Sequence, residues 1–182
     1  MSVPDAAPGD DSLSIDLIRR RLASERLGRH IYLFGQIAPR AQARRLAEAG
    51  AEEGTVVLSE DGASLHLAVV LRPDLPLRAA VGLAPLAARA LAETLAVADA
   101  PDAAECTVTA HGAQYVIFSV GAEWHPRRVT GRRVDRNAFT ATFLNHLDHW
   151  VACYEAEGLG ALDAGCRASS RFAHGEQGHA CH

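Results

Sequence analysis

The 182-residue chain contains no lysine, since all 18 of its basic residues are arginine. This absence removes every mechanism that requires an ε-amine, which arginine cannot supply. A long hydrophobic run is also absent. The most apolar stretch, residues 75–98, is interrupted by three charged residues and two prolines, whereas a membrane-spanning helix needs about 20 consecutive apolar residues. We therefore expect a soluble chain with no membrane partner.

An excess of positive charge is missing as well. The net charge is −4, and a general nucleic-acid binder needs a clustered positive surface, so we expect no nucleic-acid partner. Five arginines between residues 127 and 136 are the local exception, and we interpret them as a solvated loop, with a docking surface for an acidic partner as the alternative. The first twelve residues lack the basic flank and apolar core of a secretory signal. These features predict a cytoplasmic protein, in which four cysteines are thiols or metal ligands rather than disulfides.

The remaining composition is that of one ordinary globular domain, with 48% apolar and 22% charged residues. Residues 1–12 are acidic and rich in proline and glycine, which predicts a flexible leader. The periodic segments lie within residues 13–165, which predicts a single domain. Residues 166–182 are polar and contain histidine and cysteine, which predicts a flexible tail.

Apolar alternation predicts four or five strands. They are expected at residues 30–36, 55–60, 65–71, 106–110 and 114–121. The dipeptides Asp61-Gly62 and His111-Gly112 separate neighbouring strands and are typical of hairpin turns.

Helical spacing alternates with these hairpins. Helices are expected from the Ser14 cap to Gly28, over residues 39–49, over 77–98 with a possible later start near Gly82, and over 135–157. The order lacks the regular alternation of a doubly wound sheet. It predicts an α+β fold with a mixed, largely antiparallel sheet flanked by helices.

Several segments together resemble the catalytic domain of biotin and lipoate protein ligases. They are LGRHIYLF, ARRLAEAGAEEGTVVL, LAVVLRPDLPL, GLAPLAARALAETL and NAFTATFLNHLDHWVACYEAEG, and the resemblance covers roughly residues 13–165. It implies a fold related to class II aminoacyl-tRNA synthetases. It also implies an activity in which ATP activates biotin or lipoate and the acyl group passes to a lysine of a carrier domain.

The residues that carry this chemistry in the family are replaced here. A Ser-Thr-Asn run that contacts the ligand corresponds to Ala38, Pro39 and Arg40. A long Gly-Arg-Gly-Arg loop that holds the acyl-adenylate corresponds to the turn at Asp61-Gly62. The resemblance therefore implies that the residues at these positions no longer contact the ligand or form the phosphate-binding loop.

The two family lysines are replaced too. The sequence Lys-Trp-Pro-Asn-Asp corresponds to AAEC before Thr107, and the second lysine lies near Gln114. A neutral amide cannot offset the charge on a phosphoryl oxygen as an ammonium group does. A carboxylate-held metal ion at Glu60, Asp61 and Glu105 is one conceivable substitute, although we interpret these residues as surface positions.

The strongest remaining chemical pattern is a set of histidines and cysteines. His146, His149 and Cys153 follow i, i+3, i+7 spacing and span about 60° of a helix. His179 and Cys181 in the tail could complete a tetrahedral Zn²⁺ site. The spacing matches no standard zinc finger, and an accidental cluster is the alternative.

Other reactive or aromatic residues are interpreted as structural. Cys106 begins a strand and is expected to be a buried apolar group, and His111 and His125 to be turn residues. Trp150 belongs to the apolar stripe of the last helix. Trp124 follows the last strand, and we expect it to line what remains of the family cleft or to pack within the core.

These observations favour a noncatalytic relative of the ligases with no catalytic residues. It would act through a protein partner, either a carrier domain or a larger assembly. No cofactor is expected, ATP and biotin included, and zinc is the alternative. Two other functions stay open: an active biotin or lipoate ligase with relocated residues, and a metal-binding accessory protein.

Overall fold

The computed structural model describes residues 12–61, 64–73, 82–97, 101–112, 114–124, 135–158 and 160. Within them the helices are α1 (Ile15–Arg21), α2 (Pro39–Glu48), α3 (Leu83–Val97) and α4 (Arg136–Glu157). The strands are β1 (Ile31–Phe34), β2 (Val56–Asp61), β3 (Ser64–Leu71), β4 (Ala103–His111) and β5 (Tyr115–Glu123). None of the helices in these ranges is both long enough and apolar enough to cross a membrane.

The five strands form one mixed sheet in the order β1-β2-β3-β5-β4. β1 and β2 are parallel, and the other three pairs are antiparallel. A parallel pair needs a crossover connection, which α2 provides. The predicted α+β fold with a largely antiparallel sheet is therefore confirmed.

The main core lies on one face of the sheet. Alternate strand residues such as Leu58, Leu67 and Phe118 are fully buried there against α3 and α4. Because side chains alternate between the two faces of a strand, the intervening residues must lie on the opposite face. Apart from Glu60 near the end of β2, the core face of the central strands is apolar.

The opposite face is only half covered. α2 places two buried alanines, Ala43 and Ala47, against Val57, Val70 and Ile117. These small residues let the helix approach the strands closely. The helix has ten residues, so it covers the half of the face nearest the start of β2 and leaves the other half without a helical layer among the described residues.

Among the boundaries that differ from the sequence predictions, those of α1 and β4 have a clear physical reason. α1 ends at Arg21 rather than at Gly28, because the Ser24 hydroxyl accepts hydrogen bonds from the amides of Arg26 and Leu27 and stabilises a turn instead. β4 begins at Ala103 rather than at Cys106. Its first residues are alanines, which favour strands weakly, and pairing with β5 holds them extended.

Asp135 caps α4, as its position in the sequence predicts. Its carboxylate accepts a hydrogen bond from the Ala138 amide at 2.9 Å and another from the Arg21 guanidinium at 2.6 Å. Partial burial alone would raise the pKa of Asp135, but these hydrogen bonds outweigh it and lower the pKa below its ordinary value. The ionised carboxylate therefore stabilises the folded state.

We expect Asp135→Ala to reduce the free energy of unfolding by about 1 kcal/mol at pH 7, the usual value of an N-cap. Asp135→Asn keeps the cap acceptor and loses only the charge, so its cost is smaller. A lowered folded-state pKa gives stability that is complete above the ordinary aspartate pKa of about 4 and disappears as the pH falls through the folded-state value. Urea unfolding should show the gap between wild type and Asp135→Asn closing in acid, and an equal gap at pH 7 and in acid would contradict this role.

Candidate functional site

A cleft of about 530 Å³ lies on the uncovered half of the second sheet face. We call it the sheet cleft. One wall is the loop from β1 into the start of α2, residues 36–40, and the floor comes from β2, β3, β5 and β4. The cleft thus follows directly from the short length of α2.

A row of side chains crosses the floor from one strand to the next. Ser59 of β2 is paired with His66 of β3, His66 with Gly121 of β5, and Gly121 with Glu105 of β4. Neighbouring strands lie about 4.8 Å apart, so the row is about 14 Å long from β2 to β4. A Cβ atom on Gly121 would lie 3.2 Å from Nδ1 of His66 and 3.8 Å from Cγ of Glu105. The glycine therefore leaves room between these two side chains.

Two serine side chains lie in the floor, and one of their hydroxyl groups has no partner within the described part of the chain. Ser59 is only 4% exposed and lines the cleft. Ser119 also lines the cleft, and its buried Oγ has no hydrogen-bond partner. Polar groups buried without partners are uncommon because they lose their hydrogen bonds to water. The Ser119 hydroxyl is such a group.

The charged side chains around the cleft are of both signs. Asp61 and Glu105 contribute two carboxylates, and Arg40 contributes the one guanidinium among the described lining residues. Arg40 lies in the first turn of α2 and is exposed. The N-cap of that helix, Ala38, provides no side-chain hydrogen bond. Formal charge at the described lining is therefore more negative than positive at neutral pH.

The structure brings together several of the positions that the resemblance singles out. Residues 38–40, Asp61 and Glu105 line the sheet cleft. Gln114 does not line it and is exposed at the turn between β4 and β5. The family positions thus converge on one site even where the residues themselves differ.

The three carboxylates considered as a metal site, Glu60, Asp61 and Glu105, do not come together in the structure. Glu60 points away from the cleft, where its Oε2 accepts from the Leu13 amide and pairs with Arg136 at 3.2 Å. Because side chains alternate between the two faces of a strand, Glu60 and its neighbour Asp61 lie on opposite faces of the sheet. Within the described ranges no group of three histidine, cysteine or acidic side chains is placed to hold a metal ion. The remaining arginines of the 127–136 run lie outside the described residues.

The histidines of α4 are only partly brought together. Nδ1 of His146 lies 3.2 Å from the Thr94 hydroxyl of α3, whereas Nε2 of His149 lies 3.8 Å from Sγ of Cys153. His179 and Cys181 lie outside the described residues. The zinc site therefore stays a prediction that depends on the tail.

Trp124 belongs to the core rather than to the cleft. It is buried and packs edge-on against Phe139 of α4, with 5.5 Å between ring centroids. Trp150 is buried as expected, and its indole Nε1 donates to Glu93 at 2.9 Å. Cys106 is half-buried on the core side, and burial together with Glu105 raises the pKa of its thiol. This direction disfavours a thiolate nucleophile.

The residues that sequence reasoning missed are those of the cleft floor. Ser59, His66 and Ser119 each interrupt an apolar strand at a position facing away from the core. The signal was available as a change from apolar to polar along one face of β2, β3 and β5. It could not be interpreted without knowing that α2 covers only half of that face.

Comparison with known proteins places this arrangement among described folds. Residues 32–121, from β1 into β5, match the model of the Biotin/lipoate A/B protein ligase family. The fold is similar to a biotin protein ligase-like protein of unknown function from Silicibacter sp. tm1040, with a TM-score of 0.59 and 17% identity over 76% of this chain and 77% of that one. It is also similar to biotin protein ligase from Aquifex aeolicus, with a TM-score of 0.57 and 11% identity over 72% of each chain. No curated protein sequence matches the chain.

Proposed function

Because residues 32–121 belong to the biotin/lipoate A/B protein ligase family, we propose that this protein is a member that has lost acyl-adenylate chemistry and acts by binding. The binding partner would be another protein, either a carrier domain or a subunit of a larger assembly.

The observation that carries this proposal is the chemistry of the sheet cleft. A ligase must hold a phosphate-bearing mixed anhydride with positive groups while charge develops on its oxygens. Here two carboxylates, Asp61 and Glu105, line the described cleft against the single guanidinium of Arg40. Carboxylates at these positions repel phosphate, so the residues do not fit ATP or an acyl-adenylate.

The absence of lysine points the same way. The family uses lysine ammonium groups on either side of a hairpin, and this chain contains none. Losing one positioned donor typically reduces an enzymatic rate by about a hundredfold to a thousandfold. Ligand contacts, phosphate loop and lysines are all changed here, which supports a protein without useful ligase activity.

A protein partner is supported by the open edge of the sheet. β1 pairs only with β2 among the described strands, so its other edge is unpaired there. Tyr32 and Leu33 of this strand are about two-fifths exposed, and Ile37 beyond it is 47% exposed. Exposed apolar side chains beside a free strand edge are typical of a contact surface.

The direct test is an adenylation and transfer assay with ATP, labelled biotin, lipoate or octanoate, and a carrier domain. We expect no labelled carrier and no pyrophosphate release above background, whereas an active ligase in the same mixture labels the carrier. Size-exclusion chromatography of the chain with the carrier domain should show whether the two form a complex without labelling.

The same assay distinguishes the proposed function from the alternative of an active ligase. An active ligase with relocated residues is favoured by the family match and by the position of Arg40 in the cleft. Pyrophosphate release that depends on this chain and on the acid would establish that alternative and overturn the noncatalytic function.

A further inference from the structure

We propose that α4 provides half of a tetrahedral Zn²⁺ site, with His149 and Cys153 as two of the ligands and with His179 and Cys181 of the C-terminal segment as the other two. His149 is exposed and Cys153 is partly exposed on the outer surface of the helix. The site lies away from the sheet cleft, because α4 packs against the opposite face of the sheet. The inference is therefore independent of the proposed noncatalytic function.

The distance between the two donor atoms on α4 gives the first argument. Nε2 of His149 lies 3.8 Å from Sγ of Cys153. A tetrahedral Zn²⁺ ion binds nitrogen at about 2.0–2.1 Å and sulfur at about 2.3 Å, which places two such donor atoms about 3.6 Å apart. The two side chains therefore lie at nearly the separation that the ion requires. A hydrogen bond accounts for this approach less well, because a thiol is a weak donor.

The orientation of the His149 ring gives the second argument. The ring packs edge-on against Trp150, with 5.6 Å between ring centroids. Trp150 is itself held in place, because its Nε1 donates to Glu93 and the Arg89 guanidinium lies 4.8 Å from its ring centroid. A ligand whose rotamer is fixed before binding loses little conformational entropy when the ion arrives.

The charges on this part of α4 also favour a cation. From residue 146 to the end of the helix the sequence contains three acidic residues and no basic residue. Glu155 is paired with Arg26 at 2.8 Å, and Asp148 and Glu157 add further negative charge. The C-terminal end of a helix carries partial negative charge as well. No positive group of the helix itself therefore opposes a metal ion there.

His146, the first histidine of the sequence pattern, has a different role. Its Nδ1 lies 3.2 Å from the Thr94 hydroxyl, and that hydroxyl donates to the Ala90 carbonyl at 2.7 Å. Because the hydroxyl proton is already used, Nδ1 of His146 donates and its ring is tied to α3. The described residues contain no group of three side chains placed to hold a metal ion. They supply two ligands, so the other two must come from the rest of the chain.

The C-terminal segment has the length and the residue types to supply them. α4 ends at Glu157, about one turn beyond Cys153, and Cys181 follows 24 residues later. An extended chain of that length spans about 80 Å, far more than a return to Cys153 requires. Side chains two residues apart project to the same side of an extended segment, so His179 and Cys181 can reach one ion. The four residues form a Cys₂His₂ set, which structural zinc sites use.

The test is a competition for Zn²⁺ between the full chain and a chromogenic chelator, with a phosphine reductant that keeps the thiols reduced. We expect one Zn²⁺ per chain. Because four ligands share the affinity of a structural zinc site, His149→Gln and Cys153→Ser should each weaken binding about a hundredfold. With Co²⁺ as a probe, the wild-type chain should show the visible absorption of a tetrahedral complex with thiolate ligands, and Cys153→Ser should reduce it.

Two substitutions outside the site are the matched controls. His30→Gln removes an exposed histidine that lies next to β1 and pairs with Glu52. Cys166→Ser removes a cysteine of the C-terminal segment that is not among the four ligands. Both variants should bind Zn²⁺ as tightly as the wild type. Circular dichroism should show that every variant folds, since the substituted α4 residues lie at the surface.

Two results would overturn the proposal. Unchanged Zn²⁺ affinity in both His149→Gln and Cys153→Ser would show that α4 supplies no ligand and that the C-terminal segment binds metal alone. Unchanged affinity in the double variant His179→Gln, Cys181→Ser would show that this segment does not complete the site. A loss of about a hundredfold or more in all three variants, with both controls intact, would establish it.

Discussion

Gly54→Ala is expected to be the most destabilising single substitution considered for this chain, reducing the free energy of unfolding by about 5 kcal/mol. The glycine has a φ of +81°, and this left-handed conformation costs a residue with a Cβ atom about 1–2 kcal/mol. The added Cβ would also overlap the carbonyl oxygen of Arg26. That oxygen is backbone, so relief of the overlap requires moving the whole loop before β1.

The loop cannot move freely because hydrogen bonds hold it in place. The Gly28 amide donates to the Gly54 carbonyl at 2.9 Å, and the Gly54 amide donates to the Val70 carbonyl at 2.8 Å. Gly54 thus joins the segment before β1 to the end of β3. A loss of about 5 kcal/mol is a large part of the free energy of unfolding of an ordinary domain, which is about 5–15 kcal/mol.

Gly50→Ala is the matched control for this prediction. Gly50 also has a positive φ, +89°, but a Cβ atom there would meet nothing within 4 Å. It should therefore show the conformational cost alone, about 1–2 kcal/mol. Denaturant midpoints of the two variants separate conformational strain from overlap, and equal losses would show that the close approach to Arg26 is unimportant.

Arg26→Met is expected to have the second-largest effect, about 2–3 kcal/mol. The Arg26 guanidinium forms two hydrogen bonds of 2.8 Å with Glu155 of α4 and further hydrogen bonds with Glu53. Burial alone would lower the pKa of Arg26, but the partners on Glu155 and Glu53 outweigh it and raise the pKa. Removing the guanidinium leaves two half-buried carboxylates facing one gap, and breaking a buried pair costs about 3–5 kcal/mol. The partial exposure of this cluster reduces that figure.

Two comparisons test the assignment. Arg44 pairs with Glu48 at 2.8 Å on the exposed surface of α2, so Arg44→Met should cost no more than about 0.5 kcal/mol. Adding Glu155→Gln to Arg26→Met should restore part of the stability, because it removes one uncompensated charge. Urea unfolding measures all three. A double variant less stable than the Arg26→Met single variant would contradict a charge-based role.

Much of the fold could be predicted from short-range pattern. Alternation at the start of β3, the apolar run that opens β5 and the Asp135 cap each determine local structure that is present in the folded chain. The early end of α1 could not be predicted in this way. It depends on hydrogen bonds from backbone amides to the Ser24 hydroxyl. The spacing of apolar residues does not predict these hydrogen bonds.

The candidate site was predictable only in outline. The resemblance marked residues 38–40 and the turn at Asp61-Gly62 as one site, and the described members of that set do converge. The floor at Ser59, His66 and Ser119 was not predictable, because Ser119 comes from a strand far from the other two in sequence. Their polar character became meaningful only once the ten-residue length of α2 showed which half of the face is uncovered.

The floor of the sheet cleft has a consequence for the order of assembly. Ser59 and His66 come from the β1–β3 segment, whereas Glu105 and Gly121 come from the β4–β5 hairpin, and the β3–β5 ladder joins the two halves. Pairing across such a long separation is slow compared with closing a hairpin. A half-assembled chain therefore has no floor and no affinity for a ligand. Any molecule that binds there stabilises only the joined state, and it should raise the midpoint of the complete unfolding transition.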